Sequence, residues 1–115
     1  MPAVKVTLQI EVDGEPLKGF PIVRRFEPTD KSAFDITQAS AGGYVALPIT
    51  GIGSIQALLF QPAANMGVKL AGDGTGVTVN KGGLLLVIDA GGFSGTTFEN
   101  NSGGSAKVTG FAAGT

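Results

Sequence analysis

The stretch Val4-Lys5-Val6-Thr7-Leu8-Gln9-Ile10-Glu11-Val12 decides the fold class of this chain, because apolar and polar residues alternate strictly along it. A period of two places successive side chains on opposite faces of an extended backbone. The pattern therefore predicts a β-strand over residues 4–12, with one buried face and one face in water.

Turn residues and further apolar segments continue the β pattern. Asp13-Gly14-Glu15-Pro16 has turn chemistry, and residues 17–26 form an extended apolar segment that contains Pro21. Because proline cannot donate to a ladder, this segment is predicted to be an edge strand or to break at Pro21. Residues 54–61 are apolar on both faces, which predicts an interior or interface strand. Other short strands are predicted at 32–37, 44–49, 68–70, 77–79, 84–89, 96–99 and 106–111.

The spacing of these segments predicts one all-β domain over residues 1–115. About nine short strands separated by Gly-rich turns are typical of an antiparallel β-sandwich, a jelly roll or a small barrel. The only helix predicted is a single turn at residues 62–66. Residues 72–76 are predicted to form a tight hairpin turn. Residues 91–95 and 100–105 are predicted as hairpin tips or as loops that order on assembly.

The composition argues against catalysis. The chain has no His and no Cys, so it lacks the usual general base at neutral pH, the commonest metal ligand and the thiol nucleophile. Glu11, Asp13 and Glu15 cluster at a strand end and turn, where the alternation exposes them to water. The sequence therefore predicts no enzyme, with no catalytic, cofactor-binding or metal-binding residue.

Charge and hydropathy argue against nucleic-acid and membrane partners. The formal net charge is −1 and the pI about 5.2, whereas nucleic-acid binders normally carry a clustered basic surface. The adjacent Arg24 and Arg25 are interpreted as a solvated strand face or an inter-subunit salt bridge. The N-terminus lacks the pattern of a secretory signal. The longest strongly apolar run, residues 84–88, is too short to cross a membrane as a helix.

The low charge content predicts a partner chain. Charged residues make up 15% of the sequence, against about 25% in typical soluble domains. Apolar surface covered by another copy explains this imbalance, and a low-charge monomer is the alternative. Two segments, 1–12 and 110–115, are candidate assembly arms, or else strands that complete the domain's own sheet. The residues predicted to lie at the interface are Val4, Val6, Leu8, Phe60, Phe93, Phe98 and Phe111.

Three segments carry a resemblance to a known group of proteins. They are Gly42-Gly43-Tyr44-Val45-Ala46-Leu47-Pro48, Gly82-Gly83-Leu84-Leu85-Leu86-Val87-Ile88-Asp89 and the tail over residues 101–115. With them, the chain resembles small β-rich virion proteins of tailed bacteriophages. The resemblance implies a capsid decoration or cement protein, assembled in the host cytoplasm, whose partners are its own copies and the major capsid protein or another virion protein.

Two other functions stay open at the level of sequence. One is a component of the tail or of the head-to-tail junction. The other is a receptor- or glycan-binding module, which requires exposed aromatic and polar side chains clustered on loops at one end. Tyr44 and the Asn100-Asn101 pair are the residues that favour such a module.

Overall fold

The computed structural model describes residues 3–40, 42–71 and 74–115, and these residues form an all-β protein, as predicted. The described ranges contain twelve strands and no helix: β1 (Val4–Leu8), β2 (Glu11–Val12), β3 (Glu15–Pro16), β4 (Ile22–Phe26), β5 (Asp30–Gln38), β6 (Val45–Ala46), β7 (Ile55–Pro62), β8 (Met66–Lys69), β9 (Val77–Val79), β10 (Leu85–Phe93), β11 (Thr97–Asn100) and β12 (Ala106–Gly114). Nine of these strands have three residues or more, in agreement with the predicted number, and β2, β3 and β6 have two residues each.

Two four-stranded antiparallel sheets pack face to face as a β-sandwich. The long sheet has the strand order β10-β7-β12-β5, and the short sheet has the order β6-β11-β8-β9. Phe60 of β7 and Phe98 of β11 meet between the sheets, with ring centroids 5.8 Å apart. Such a tilted pair adds about 0.5–1.5 kcal/mol beyond the burial of its area. The fully buried core side chains also include Leu58, Met66, Val68 and Val108.

The strand predicted to be apolar on both faces is an interior strand. β7 pairs with β10 on one side and with β12 on the other. Leu58 points into the core and is fully buried, whereas the adjacent Leu59 points to the opposite, outer face of the long sheet. The two apolar faces of β7 therefore serve the sandwich core and the outer face of the long sheet.

The C-terminal segment is part of the sandwich, which corrects the expectation of an assembly arm at residues 110–115. Gly110 to Gly114 belong to β12, which lies between β7 and β5 and pairs with both. Ala112 and Ala113 are fully buried, and the Thr115 N–H donates to the Ser54 carbonyl at 2.9 Å. Withdrawing this segment would leave the edges of β7 and β5 that face β12 without ladder partners over its length, so it is not free to reach another subunit.

The helical turn predicted at residues 62–66 is wrong. Pro62 ends β7 and Met66 begins β8. Between them, the Ala63 N–H donates to the Lys107 carbonyl at 2.8 Å, and the Asn65 side-chain oxygen accepts the Lys81 N–H at 2.8 Å. These long-range bonds tie the connection to β12 and to the turn after β9, and the backbone between β7 and β8 forms a bend and not a helical turn.

The hairpin predicted at residues 72–76 lies partly outside the described residues, which exclude Gly72 and Asp73. The flanking strands β8 and β9 pair antiparallel, from Met66 opposite Val79 to Val68 opposite Val77. The Gly74 N–H donates to the Ala71 carbonyl at 2.7 Å. Strand pairing on both sides is the arrangement that a hairpin requires.

The N-terminal segment forms a separate two-stranded ribbon over residues 4–26 in place of the single strand predicted over 4–12. β1 ends at Leu8 and pairs with β4, whereas β2 pairs with β3 beyond a break in the ladder. β4 begins immediately after Pro21, so the strand breaks where the proline predicted. The radius of gyration is 14.9 Å, against about 13 Å expected for a globular domain of this length. The ribbon therefore extends the molecule beyond the sandwich.

Candidate assembly surface

The distal part of the ribbon, residues 7–19, is exposed at every position, and we call it the ribbon end. Its tip is a two-residue turn in which Asp13 and Gly14 both have positive φ, 55° and 78°. This conformation matches the twist of a hairpin and favours the Asp-Gly dipeptide. The Leu17 N–H donates to the Ile10 carbonyl at 3.0 Å and extends the pairing of β2 with β3. The local sequence therefore explains a defined hairpin that projects into water.

Apolar side chains on the ribbon end are exposed without cover from the described chain. The exposed fractions are 39% for Ile10, 53% for Val12 and 41% for Leu17. Leu17 lies opposite Ile10 in the register of β2 and β3, and Val12 alternates onto the same face. Leu8, 38% exposed, precedes them on the ribbon. The ribbon end thus presents an apolar face, formed by Ile10, Val12 and Leu17, that the fold itself does not bury.

The proximal part of the ribbon borders a groove on the outer face of the long sheet. The groove has a volume of about 480 Å³, and β1 forms one wall with Val4 and Val6. The opposite wall comes from adjacent strands of the long sheet, where Phe111 lies opposite Leu59 and Leu59 lies opposite Leu86. We call this feature the strand groove. It is mainly apolar, with Lys5 and Lys31 at its rim.

The two parts of the ribbon carry opposite charge. Glu11, Asp13 and Glu15 surround the tip, whereas Lys5 lies directly opposite Arg25 in the pairing of β1 with β4. Directly opposed like charges destabilise a strand pair. The one ion pair within the described residues joins Lys107 to Asp35 at 3.2 Å, on the sandwich. The charges of the ribbon are therefore not neutralised by ion pairs in the part of the chain that the structure describes.

The structure brings together three of the residues predicted at an interface. Val4, Val6 and Phe111 line the strand groove, although they are far apart in sequence. Leu8 lies next to the groove on the exposed ribbon. Phe93 is half-buried at the end of β10 and packs against the core. Residues 4–12 of the segment predicted as an assembly arm, or else as a strand of the domain's own sheet, lie along one side of the ribbon. Met1 and Pro2 lie outside the described residues.

Phe60 and Phe98 are corrections to the predicted interface. Both side chains are fully buried between the sheets, so no partner can reach them in the folded chain. The predicted interface did not include Leu17 or Leu86, and it included Ile10 and Val12 only as part of the candidate arm at residues 1–12. The turn signal at Asp13-Gly14 was available in the sequence, but alternation alone does not reveal whether an apolar face is covered.

Two of the residues that favour a glycan-binding module, Tyr44 and Asn100, make contacts within the fold, whereas Asn101 is exposed. Tyr44 lies under the Lys69 ammonium group, which is 4.4 Å from the ring centroid. Asn100 is 2% exposed, and its side-chain nitrogen donates to the carbonyls of Gln38 and Gly104 at 2.8 and 3.0 Å. Tyr44 and Asn100 therefore contribute to packing and to the connection of strands.

The acidic residues do not converge on a metal-binding arrangement in the described ranges. No group of three or more His, Cys, Asp or Glu residues with suitable geometry occurs in residues 3–40, 42–71 and 74–115. The same ranges contain no helix long and apolar enough to span a membrane. Comparison with protein-family models, curated proteins and solved structures found no match to this chain.

Proposed function

We propose that this chain is a non-enzymatic structural protein of a tailed-phage virion, which stabilises the capsid as a decoration or cement protein. In this proposal it associates with its own copies and with the major capsid protein or another virion protein, in a virion that is assembled in the host cytoplasm. Its resemblance to small phage virion proteins, described above, supplies the specific role.

The exposed apolar face of the ribbon end is the observation that carries the proposal. A two-stranded hairpin is marginally stable in water unless a further strand or surface covers it. Here Ile10, Val12 and Leu17 remain exposed on such a hairpin. A partner that covers them gains roughly 25 cal/mol for each Å² of apolar surface removed from water. Exposure of this apolar face to water is unfavourable, and assembly with a partner would remove it from water.

The composition supports the non-catalytic part of the proposal. Without His and Cys, the chain lacks the side chains that most often act as base, metal ligand or nucleophile near neutral pH. Charged residues make up only 15% of the sequence, which favours association with other protein chains over a free monomer. On a particle, many copies with modest individual contacts would attach firmly, because avidity multiplies their effect.

The test combines the mass of the purified chain in solution with its binding to shells. We expect light scattering to detect a homo-oligomer, and sedimentation with purified phage shells lacking the protein to show saturable binding. The double variant Val12→Ser, Leu17→Ser should lose at least tenfold in one or both associations while retaining its far-UV circular dichroism. Leu84→Ser is the matched control, because Leu84 is 58% exposed and lies outside the ribbon.

The possible results separate the proposed function from its alternatives. Saturable shell binding that the double variant weakens and Leu84→Ser leaves intact would support the capsid role. Binding to purified tails and not to shells would replace it with a tail or junction component. A monomer that binds neither particle would overturn the proposal.

A further inference from the structure

We propose that the ribbon end of one copy docks into the strand groove of a second copy, in a head-to-tail arrangement. The inference rests on the self-association in the proposed function and assigns its two surfaces. Both surfaces belong to this chain and remain uncovered in it, so the occupant that we propose is a second copy.

The first argument is the match of apolar surfaces. The ribbon end offers the side chains of Ile10, Val12 and Leu17 on one face of a narrow hairpin. The strand groove offers Leu59 and Phe111 on the wall formed by the long sheet, and its volume is about 480 Å³. A two-stranded ribbon laid against this outer face would add a third layer to the sandwich and bury both apolar surfaces.

The second argument is the match of charges. The tip carries Glu11, Asp13 and Glu15, and the rim of the groove carries Lys5 and Lys31. The repulsion between Lys5 and the opposing Arg25 is relieved when a carboxylate approaches them. Docking the tip across the rim therefore places carboxylates near ammonium groups. Such complementarity fixes orientation and accelerates encounter.

The connectivity of the ribbon requires a second copy. Residues 3–7 form a wall of the strand groove, and the chain then continues outward into the ribbon end. A tip continuous with that wall lies beyond the groove and does not fold back into it while β1 stays paired with β4. Because the two surfaces differ, the contact is heterologous, and repeated contacts close into a ring or continue as a chain.

The experiment reverses the charge of each surface separately. The tip-reversed variant carries Glu11→Lys and Glu15→Lys, and the rim-reversed variant carries Lys5→Glu and Lys31→Glu. All four side chains are exposed, so both variants should keep the far-UV circular dichroism of the parent chain. Each variant alone opposes like charges at the contact. We expect its self-association, measured by sedimentation velocity, to weaken by about tenfold or more.

The equimolar mixture of the two variants is the decisive sample. In the mixture, each acidic tip meets a basic rim and each basic tip meets an acidic rim, so association should return to nearly the parental level. Lys81→Glu is the control, because Lys81 lies in the exposed turn between β9 and β10. It should leave the association unchanged.

Three results would overturn the inference. They are a parent chain that stays monomeric, a reversed variant that associates as tightly as the parent, and a mixture that gains nothing over its components. The shell-binding experiment separates this from the proposed function. If the parent chain is monomeric but binds shells saturably, only the docking of copies is overturned. If association recovers in the mixture but no shell binding is seen, only the capsid role is overturned.

Discussion

At the scale of single residues, Gly110 illustrates how closely the strands of the long sheet approach. A Cβ atom at this position would collide with the Leu59 carbonyl oxygen and would lie 2.5 Å from Cζ of Phe34. We expect Gly110→Ala to lower the free energy of unfolding by about 1–3 kcal/mol, as overpacking of a core does. Urea denaturation followed by circular dichroism measures the change. Gly104→Ala is the matched control, because a Cβ there meets nothing within 4 Å.

An equal, small effect of both substitutions would contradict the close approach of β12 to Leu59 and Phe34.

Part of the arrangement of β12 could be predicted from the sequence. Val108, Gly110 and Ala112 alternate on one face of β12, and Phe111 falls on the other face, as period two requires. Which face belonged to the core depended on the strands beside β12, and a sequence pattern does not specify these neighbours.

At the scale of elements, Asn100 connects the two sheets of the sandwich. It ends β11 in the short sheet, and its side-chain nitrogen donates to the carbonyl of Gln38, which ends β5 in the long sheet. Its side-chain oxygen accepts the Ser102 hydroxyl at 2.7 Å. We expect Asn100→Ala to lower the free energy of unfolding by about 1–3 kcal/mol, because the carbonyl groups of Gln38 and Gly104 lose their donor.

The control for this element is Asn101→Ala, at an exposed neighbour, which should change the free energy of unfolding by less than about 0.5 kcal/mol. Both values come from the same chemical denaturation experiment. Similar effects of the two substitutions would mean that Asn100 stabilises the loop and that its bond between the sheets contributes little.

The turn itself was predictable from its Asn, Ser and Gly residues, but the bond to Gln38 spans 62 positions and had no local signal.

At the scale of the whole molecule, the sequence predicted the all-β class and most strands but not the separation of ribbon from sandwich. Alternation over residues 4–12 indicates one apolar face, and it does not say whether that face meets the chain's own core. Here Val4 and Val6 border the strand groove, whereas Ile10 and Val12 remain exposed. The surface that we propose for assembly emerges only once the pairing of β1 with β4 places the ribbon end outside the sandwich.

This division predicts that residues 9–21, which include most of the ribbon end, are dispensable for folding. Replacing residues 9–21 with Asn-Gly joins Leu8 to Ile22, which already face each other in the ladder, through a two-residue hairpin turn. We expect the Tm of the shortened chain to lie within about 4 °C of the parent's Tm at concentrations where the parent is monomeric, because no core residue is lost. Light scattering at higher concentration should then detect only monomer. A large drop in Tm would instead make the ribbon end part of the folding unit, and its exposed apolar face would no longer point to a partner.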